Sequence, residues 1–217
     1  MSKHLKAEID KLKKSVIALG AVVEQSLRNT IRALIDRTPE KAQIVIDTDH
    51  QIDTSEVEIE EECLKVLALH QPVAIDLRYI MAILKMTSDL ERIGDLAANI
   101  AERTVFIATH EKVKLDFDFS RMAEKVERML KDSLDSMVNM DSELARKVCE
   151  ADDEVDDMHR RVFKKVQEHI AERPDQVDIY VNFLSVSRNL ERIADHATNI
   201  AEDVIYMVEG EIVRHRL

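Results

Sequence analysis

Residues 89–103 of this chain are written almost twice. The run Asp-Leu-Glu-Arg-Ile-Gly-Asp-Leu-Ala-Ala-Asn-Ile-Ala-Glu-Arg returns at residues 189–203 as Asn-Leu-Glu-Arg-Ile-Ala-Asp-His-Ala-Thr-Asn-Ile-Ala-Glu-Asp. Leu90, Glu91, Arg92, Ile93, Asp95, Ala97, Asn99, Ile100, Ala101 and Glu102 recur as Leu190, Glu191, Arg192, Ile193, Asp195, Ala197, Asn199, Ile200, Ala201 and Glu202. A shared helical period repeats apolar positions; it does not repeat polar identities. The chain therefore contains one unit twice, and any fold must place both copies in comparable surroundings.

On a helix advancing about 100° per residue, Glu91, Asp95, Asn99 and Glu102 fall within roughly one quadrant, and Leu90, Ile93, Ala97 and Ile100 fall on the opposite side. Core packing accounts for the second set and not for the first. Carboxylates four residues apart repel by a few tenths of a kcal/mol, about 0.2–0.5 per pair. An arrangement that opposes helix stability and is kept twice points to a cation.

The rest of the chain is written for long helices. Gly and Pro number three each, Trp is absent and aromatic residues make up 4%, while hydrophobic residues reach 45%. A sheet would need more turn residues, so the reading is all-α. The formal net charge of −12 offers no basic footprint for nucleic acid. Cys63 and Cys149 are read as unpaired thiols of a reducing compartment. The first ten residues lack a signal-peptide core, and Val16–Val23, the longest apolar run, falls short of a membrane span. The expectation is a cytoplasmic protein with no direct membrane insertion.

Read in order, the chain predicts six long helices. The first begins within residues 3–14 and runs to Arg37, and the second spans Pro39–Leu69 with buried Val45, Ile52, Ile59, Cys63 and Val66. The third spans Pro72–Thr109; Gly94, replaced by Ala194 in the other copy, reads there as tolerated rather than required. The period fails over residues 112–119, which read as a linker. A fourth helix over Ser120–Met140 repeats the first at an offset of 103, as Val23/Val126 and Leu27/Leu130 show. The fifth follows an N-cap at Asp141 or Ser142 and runs to Glu172, and the sixth runs from Asp175 to Val208 and stops at Gly210. The organisation is two three-helix bundles in tandem, residues 1–111 and 120–217. The methionines, Met81, Met86, Met122, Met129 and Met137 among them, read as core filler.

Each half supplies two acidic i,i+4 pairs: Asp49–Asp53 with Glu91–Asp95, and Asp152–Asp156 with Glu191–Asp195. Antiparallel packing would let the pairs of one half converge as an all-oxygen nest for Mg²⁺, Mn²⁺, Ca²⁺ or iron, bridging more than one ion. Asn99, Glu102, Asn199 and Glu202 share that face as further ligands or supporting groups. Because the acids lie opposite the apolar stripe, the ions are expected at the surface. The competing reading is an ordinary solvated face paired with Arg92, Arg192 or Arg103. A ferritin-like di-iron centre needs inward Glu-x-x-His pairs, and none stand at matched positions. Phosphate loops, nucleophile elbows and zinc-type Cys/His spacings are absent from the sequence. A hydrolase using clustered cations to activate water and a purely structural scaffold remain alternatives.

Leu90-Glu91-Arg92-Ile93-Gly94-Asp95 with Asn99-Ile100-Ala101-Glu102, its second copy, and Pro72-Val73-Ala74-Ile75-Asp76-Leu77-Arg78 together resemble the PhoU family over the whole chain. The resemblance implies two three-helix bundles whose acidic motifs hold multinuclear clusters of iron or zinc. It implies a cytoplasmic, homodimeric, non-enzymatic regulator that links the ATPase subunit of a phosphate ABC transporter to a sensor histidine kinase and restrains the phosphate-starvation response. By position the motif residues are Asp49, Asp53, Glu91, Asp95, Asp152, Asp156, Glu191 and Asp195. Two departures stand out: Asn189 takes the place of Asp89, and Asp178 that of Arg78.

Overall fold

The computed structural model describes residues 3–113 and 116–211; part of the expected linker, Lys114 and Leu115, and residues 212–217 lie outside the described residues. The helices are α1 (Lys3–Asp36), α2 (Pro39–Thr48), α3 (His50–His70), α4 (Ile75–Ala108), α5 (Phe119–Asn139), α6 (Ser142–Glu172) and α7 (Val177–Glu209), with a 3₁₀ turn at Pro174–Gln176 before α7. There is no strand among the described residues. The second long helix of the sequence is thus present in two pieces, α2 and α3, meeting at Asp49, and α2–α3 together match α6 of the second repeat.

Helix ends follow from local chemistry. Asp118 Oδ1 accepts from the Arg121 amide (3.1 Å) to cap α5, and Asp141 Oδ1 accepts from the Leu144 amide (3.0 Å) to cap α6, each satisfying an amide that the helix leaves open. Gly210 closes α7 in the left-handed conformation, φ 79°. Its missing side chain also makes room for Arg78, whose guanidinium a Cβ there would strike.

α1, α2–α3 and α4 form the first repeat, and α5, α6 and α7 the second. The two share one core: α4 and α7 pack along each other more extensively than any other pair, and α1 crosses α5. Leu90, Ile93, Ala97 and Ile100 of α4, and Ile193, Ala197 and Ile200 of α7, are each at most 1% exposed. Burying a Leu or Ile side chain contributes about 1.5–3 kcal/mol, so the apolar half of the repeated motif serves to dock the repeats on each other. The linker's end joins that core, with Phe119 stacked on Phe183 at 5.5 Å and met edge-on by Phe117 at 4.6 Å. Met86, Met122, Met129 and Met137 are buried as expected; Met81 is not, being 40% exposed on the outer side of α4.

Candidate metal centre

At Asp49 the hydrogen-bond ladder is interrupted while the backbone stays helical, φ −57° and ψ −39°. The Thr48 hydroxyl donates to the Ile44 and Val45 carbonyls (2.8 and 3.2 Å), and a ring nitrogen of His50 sits 2.9 Å from the Asp47 carbonyl. Such bonds compete with the helix ladder. Around Asp49 the ladder tightens to three-residue steps, from the Asp49 amide to Ile46 and from the Ile52 amide to the Asp49 carbonyl. In α6 the matching residues are Ala151 and Asp153. Neither supplies the hydroxyl or the ring, and α6 runs unbroken through Asp152.

The seam between α2–α3 and α4 brings Asp49, Asp53 and Asp95 together, with one carboxylate oxygen from each lying within 4.8 Å of the others. Asp49 Oδ1 is buried and has no hydrogen-bond partner. Removal from water, followed by the charges of Asp53 and Asp95, pushes the Asp49 carboxyl up to about 6. Glu91 is raised by burial and then by Asp95, with Arg92 opposing, and Glu56 is raised by burial and then by Glu60. Arg92 lies along the outer edge, Nη1 at 3.2 Å from Asp95 Oδ2 and Nε at 3.5 Å from Glu91 Oε2.

The close approach of the helices here depends on Gly94. A Cβ at that position would meet Ile52 Cδ1 at 2.9 Å, Ile52 Cγ2 at 3.1 Å and Asp49 Oδ1 at 3.3 Å. The reading of Gly94 as merely tolerated is therefore corrected: α4 needs a residue without a side chain to sit against Ile52 and Asp49. The second repeat carries Ala194 and, in register with Ile52, Val155. One methyl group has moved from one helix of the pair to the other, a volume-conserving exchange that packed cores accept.

The second nest is built from Asp152 and Asp156 of α6 and Glu191 and Asp195 of α7. Asp152 is pushed up to about 6 by burial and then by Asp195 and Asp156. Asp195 also rises to about 6, through burial and then Glu191 and Asp156; Glu191 is raised by burial and then by Asp156. Asp152 Oδ1, like Asp49 Oδ1, is buried without a hydrogen bond. Six of the eight motif acids are half-buried, and only Asp53 and Asp195 are exposed. The nests thus lie in helix seams rather than out on the open face that angular bookkeeping on one helix suggests.

The other polar residues of the motif go elsewhere. Asn99 and Glu102 are exposed on α4. Asn199 Nδ2 donates to Asp89 Oδ1 at 3.2 Å, and His196 Nδ1 lies 2.8 Å from the same oxygen; facing a carboxylate, that nitrogen carries the proton. Glu202 is half-buried and lies close enough to Cys149 to help burial raise that thiol to about 11. Two mismatches within the repeated motif, Asp89 against Asn189 and His196 against Leu96, are thus partners: they tie α4 to α7. Each is conspicuous in the sequence as a broken match, but nothing there couples them.

A cation fits the first nest, where three carboxylate oxygens converge; among the described residues no such convergent group forms in the second, which shares only the orphaned buried oxygen of Asp152. Orphaned, buried carboxylate oxygens are costly unless something pairs with them, and a donor set made of carboxylates suits hard, oxygen-seeking ions. Asp49, Asp53, Asp95 and Glu91 would hold an ion in the first repeat; Asp152, Asp156, Asp195 and Glu191 are their counterparts in the second.

The class is now defined: an all-helical tandem repeat with a carboxylate nest in each copy. A sequence model of the PhoU domain matches residues 16–104 and again residues 119–204. Among relatives, a phosphate-specific transport system accessory protein PhoU homolog of Aquifex aeolicus is 41% identical over 209 residues, covering 96% of this chain and 95% of its own. One of the same description from Pseudomonas aeruginosa is 36% identical over 216 residues, covering 99% and 89%. The crystal structure of PhoU from Pseudomonas aeruginosa superposes with a TM-score of 0.92 at 35% identity, over 95% of this chain and 99% of that one. The phosphate transport system regulatory protein PhoU from Streptococcus pneumoniae superposes at 0.86 and 29% identity, over 96% and 99%. This chain belongs to the PhoU family.

Proposed function

We propose that this protein is a regulatory accessory of phosphate transport: a non-catalytic adaptor, acting as a homodimer in the cytoplasm, between the ATPase subunit of a phosphate ABC transporter and a sensor histidine kinase. In this reading it restrains uptake and the phosphate-starvation genes when phosphate is plentiful, and the two nests hold iron or zinc, with Mg²⁺, Mn²⁺ or Ca²⁺ as other candidates. The observation that carries it is the double PhoU-domain match over nearly the whole chain, joined to the relatives' printed role in phosphate transport. No helix among the described residues is long and apolar enough to cross a membrane, so attachment to the transporter would run through protein contacts.

Two measurements test the two halves of the proposal. Deleting the gene should leave phosphate-responsive transcription switched on in phosphate-rich medium; unchanged transcription would remove the regulatory role. Metal analysis of untagged protein beside a D49A/D95A/D152A/D195A variant should show stoichiometric metal in the parent alone. Equal, negligible metal in both would return these acids to simple solvated groups. Turnover of phosphoesters by the metal-loaded parent, lost in the variant, would instead favour a hydrolase.

A further inference from the structure

Corresponding grooves of the two repeats differ in sign at matched positions of their walls. In the first repeat the hollow between α1 and α3, about 500 Å³, is bordered by Glu58, Glu61 and Glu62 beside Lys11 and Lys65. In the second repeat, at the offset of 103, the three glutamate positions are Arg161, Lys164 and Lys165, and they border the hollow between α5 and α6, about 410 Å³. That hollow continues into a second one of about 550 Å³, the two sharing Arg121 and Met158. The result is one elongated trench. Its walls carry Lys125 and Arg128 from α5 and Lys147 from α6, where the first repeat has Val22, Gln25 and Ile44.

Most acids along this trench are already engaged. Lys125 pairs with Glu154 across the trench, Arg128 with Asp132 at 3.4 Å, and Lys165 with Glu168 at 2.8 Å. Arg121, Lys147, Arg161 and Lys164 have no ion-pair partner among the described residues. The floor is apolar, with half-buried Met158 lying over the buried Met122, Met129 and Val162. Methionine floors adapt to the shape of an inserted side chain, and a long groove with an apolar floor and charged walls receives the apolar face of a helix. In a chain of net charge −12, the trench lining sets seven basic side chains against six acidic ones, Asp116, Asp118 and Glu124 included, and its four unpaired cations have no counterpart at Ala18, Ile44, Glu58 and Glu61 of the first repeat.

We infer that the α5–α6 trench is a docking site for an acidic amphipathic helix of another protein, its apolar side chains set over Met158 and its carboxylates meeting Arg121, Lys147, Arg161 and Lys164. Bound carboxylates would also compete with Glu154 for Lys125. The trench lies outside both carboxylate nests, so the inference stands whether or not those nests hold metal.

The test uses the full-length protein and a fluorescein-labelled synthetic helix of about 18 residues, with leucines on one face and glutamates beside them. Controls are its scrambled form and a version with lysine at every glutamate. Fluorescence anisotropy should show the acidic helix binding at least about tenfold more tightly than either control, the affinity falling about tenfold or more in R161E/K164E and rising in E154Q. E58Q/E61Q, in the first repeat's groove, should leave it unchanged. A thermal melt of R161E/K164E matching the parent's would confirm that its fold is intact. The inference is overturned by equal binding of all three peptides, or by R161E/K164E binding as the parent does. It is also overturned if inorganic phosphate or ATP displaces the peptide and its own binding is lost in R161E/K164E, which would make the trench a small-anion site. Self-association in sedimentation, lost in the same variant, would assign the trench to a second copy of this chain.

Discussion

The two nests descend from one pattern and are built differently. In the first, Asp49, Asp53 and Asp95 each place one oxygen within 4.8 Å of the others, and Arg92 from α4 lies along the edge. In the second, α6 is unbroken and its Arg160 stands 3.7 Å from Asp156 and 2.6 Å from Asp157, while Arg188 and Arg192 of α7 act on Glu191 and Arg192 on Asp195. Asp49 and Asp152 nevertheless share the same condition, a buried carboxylate oxygen with no partner and a carboxyl raised to about 6. What is common to the copies is the unmet electrostatic need. The backbone route to it differs, through Thr48 and Gly94 in one repeat and through Ala151 and Ala194 in the other.

The largest effect that separates the nests is cation binding. A cation at about a hundred times its dissociation constant stabilises the folded state by about 2.7 kcal/mol per site. Titration calorimetry with Mn²⁺ and with Fe²⁺ should find D49N/D53N/D95N and D152N/D156N/D195N each losing one class of site. Loss of all binding in the first variant alone would confine the cation to the interrupted-helix nest.

Next comes the pH dependence of the metal-free protein. Asp49, Asp152 and Asp195 sit near 6 when folded and near the ordinary aspartate value, about 3.9, when unfolded. The folded state therefore binds more protons between these values. The contribution of these groups is fully present below about pH 4 and is lost as pH rises to about 6. Denaturant melts of chelated protein should weaken across that window, and D49N/D152N should flatten the slope. Because a cation takes the ionised form, its stabilisation should be larger at pH 7 than at pH 5.

A further step down is the tie between the repeats. H196L gives α7 the residue that α4 has at Leu96 and leaves half-buried Asp89 with Asn199 alone. An expected loss of about 1–3 kcal/mol should be largely relieved in H196L/D89N, which restores the Asn of the second copy. An additive double variant would show that His196 and Asp89 do not act as a pair.

The methyl exchange at the seam is smaller. I52V alone should cost about 0.5–1.5 kcal/mol. In the G94A background its cost should shrink or vanish, since the shorter side chain makes room for the new Cβ while Ala supplies about 1 kcal/mol of helix propensity. A double-mutant cycle from chemical denaturation reads this coupling directly. Smallest is R92Q, which removes exposed contacts worth at most about 1 kcal/mol; it should barely move stability, yet tighten cation binding at the first nest.

The sequence determined the helices, the two-fold repetition and the acids themselves. Periodicity and the scarcity of Gly and Pro leave a chain like this little but helix to form, and a repeated polar identity such as Glu91/Glu191 marks a surface that packing alone does not require. The buried stripe of the second helix, Val45 through Val66, was legible for the same reason. Only the tertiary structure decided how those acids are used. A helical wheel treats one helix as if it stood alone, so it put Asp49 and Glu91 on an open face, whereas α2–α3 packing against α4 closes a seam over them. Gly94 looked dispensable because its role is a distance to Ile52 on another helix. Asp89 and His196 looked like mere departures from the repeat, since an interaction across 107 residues leaves no local periodicity to read.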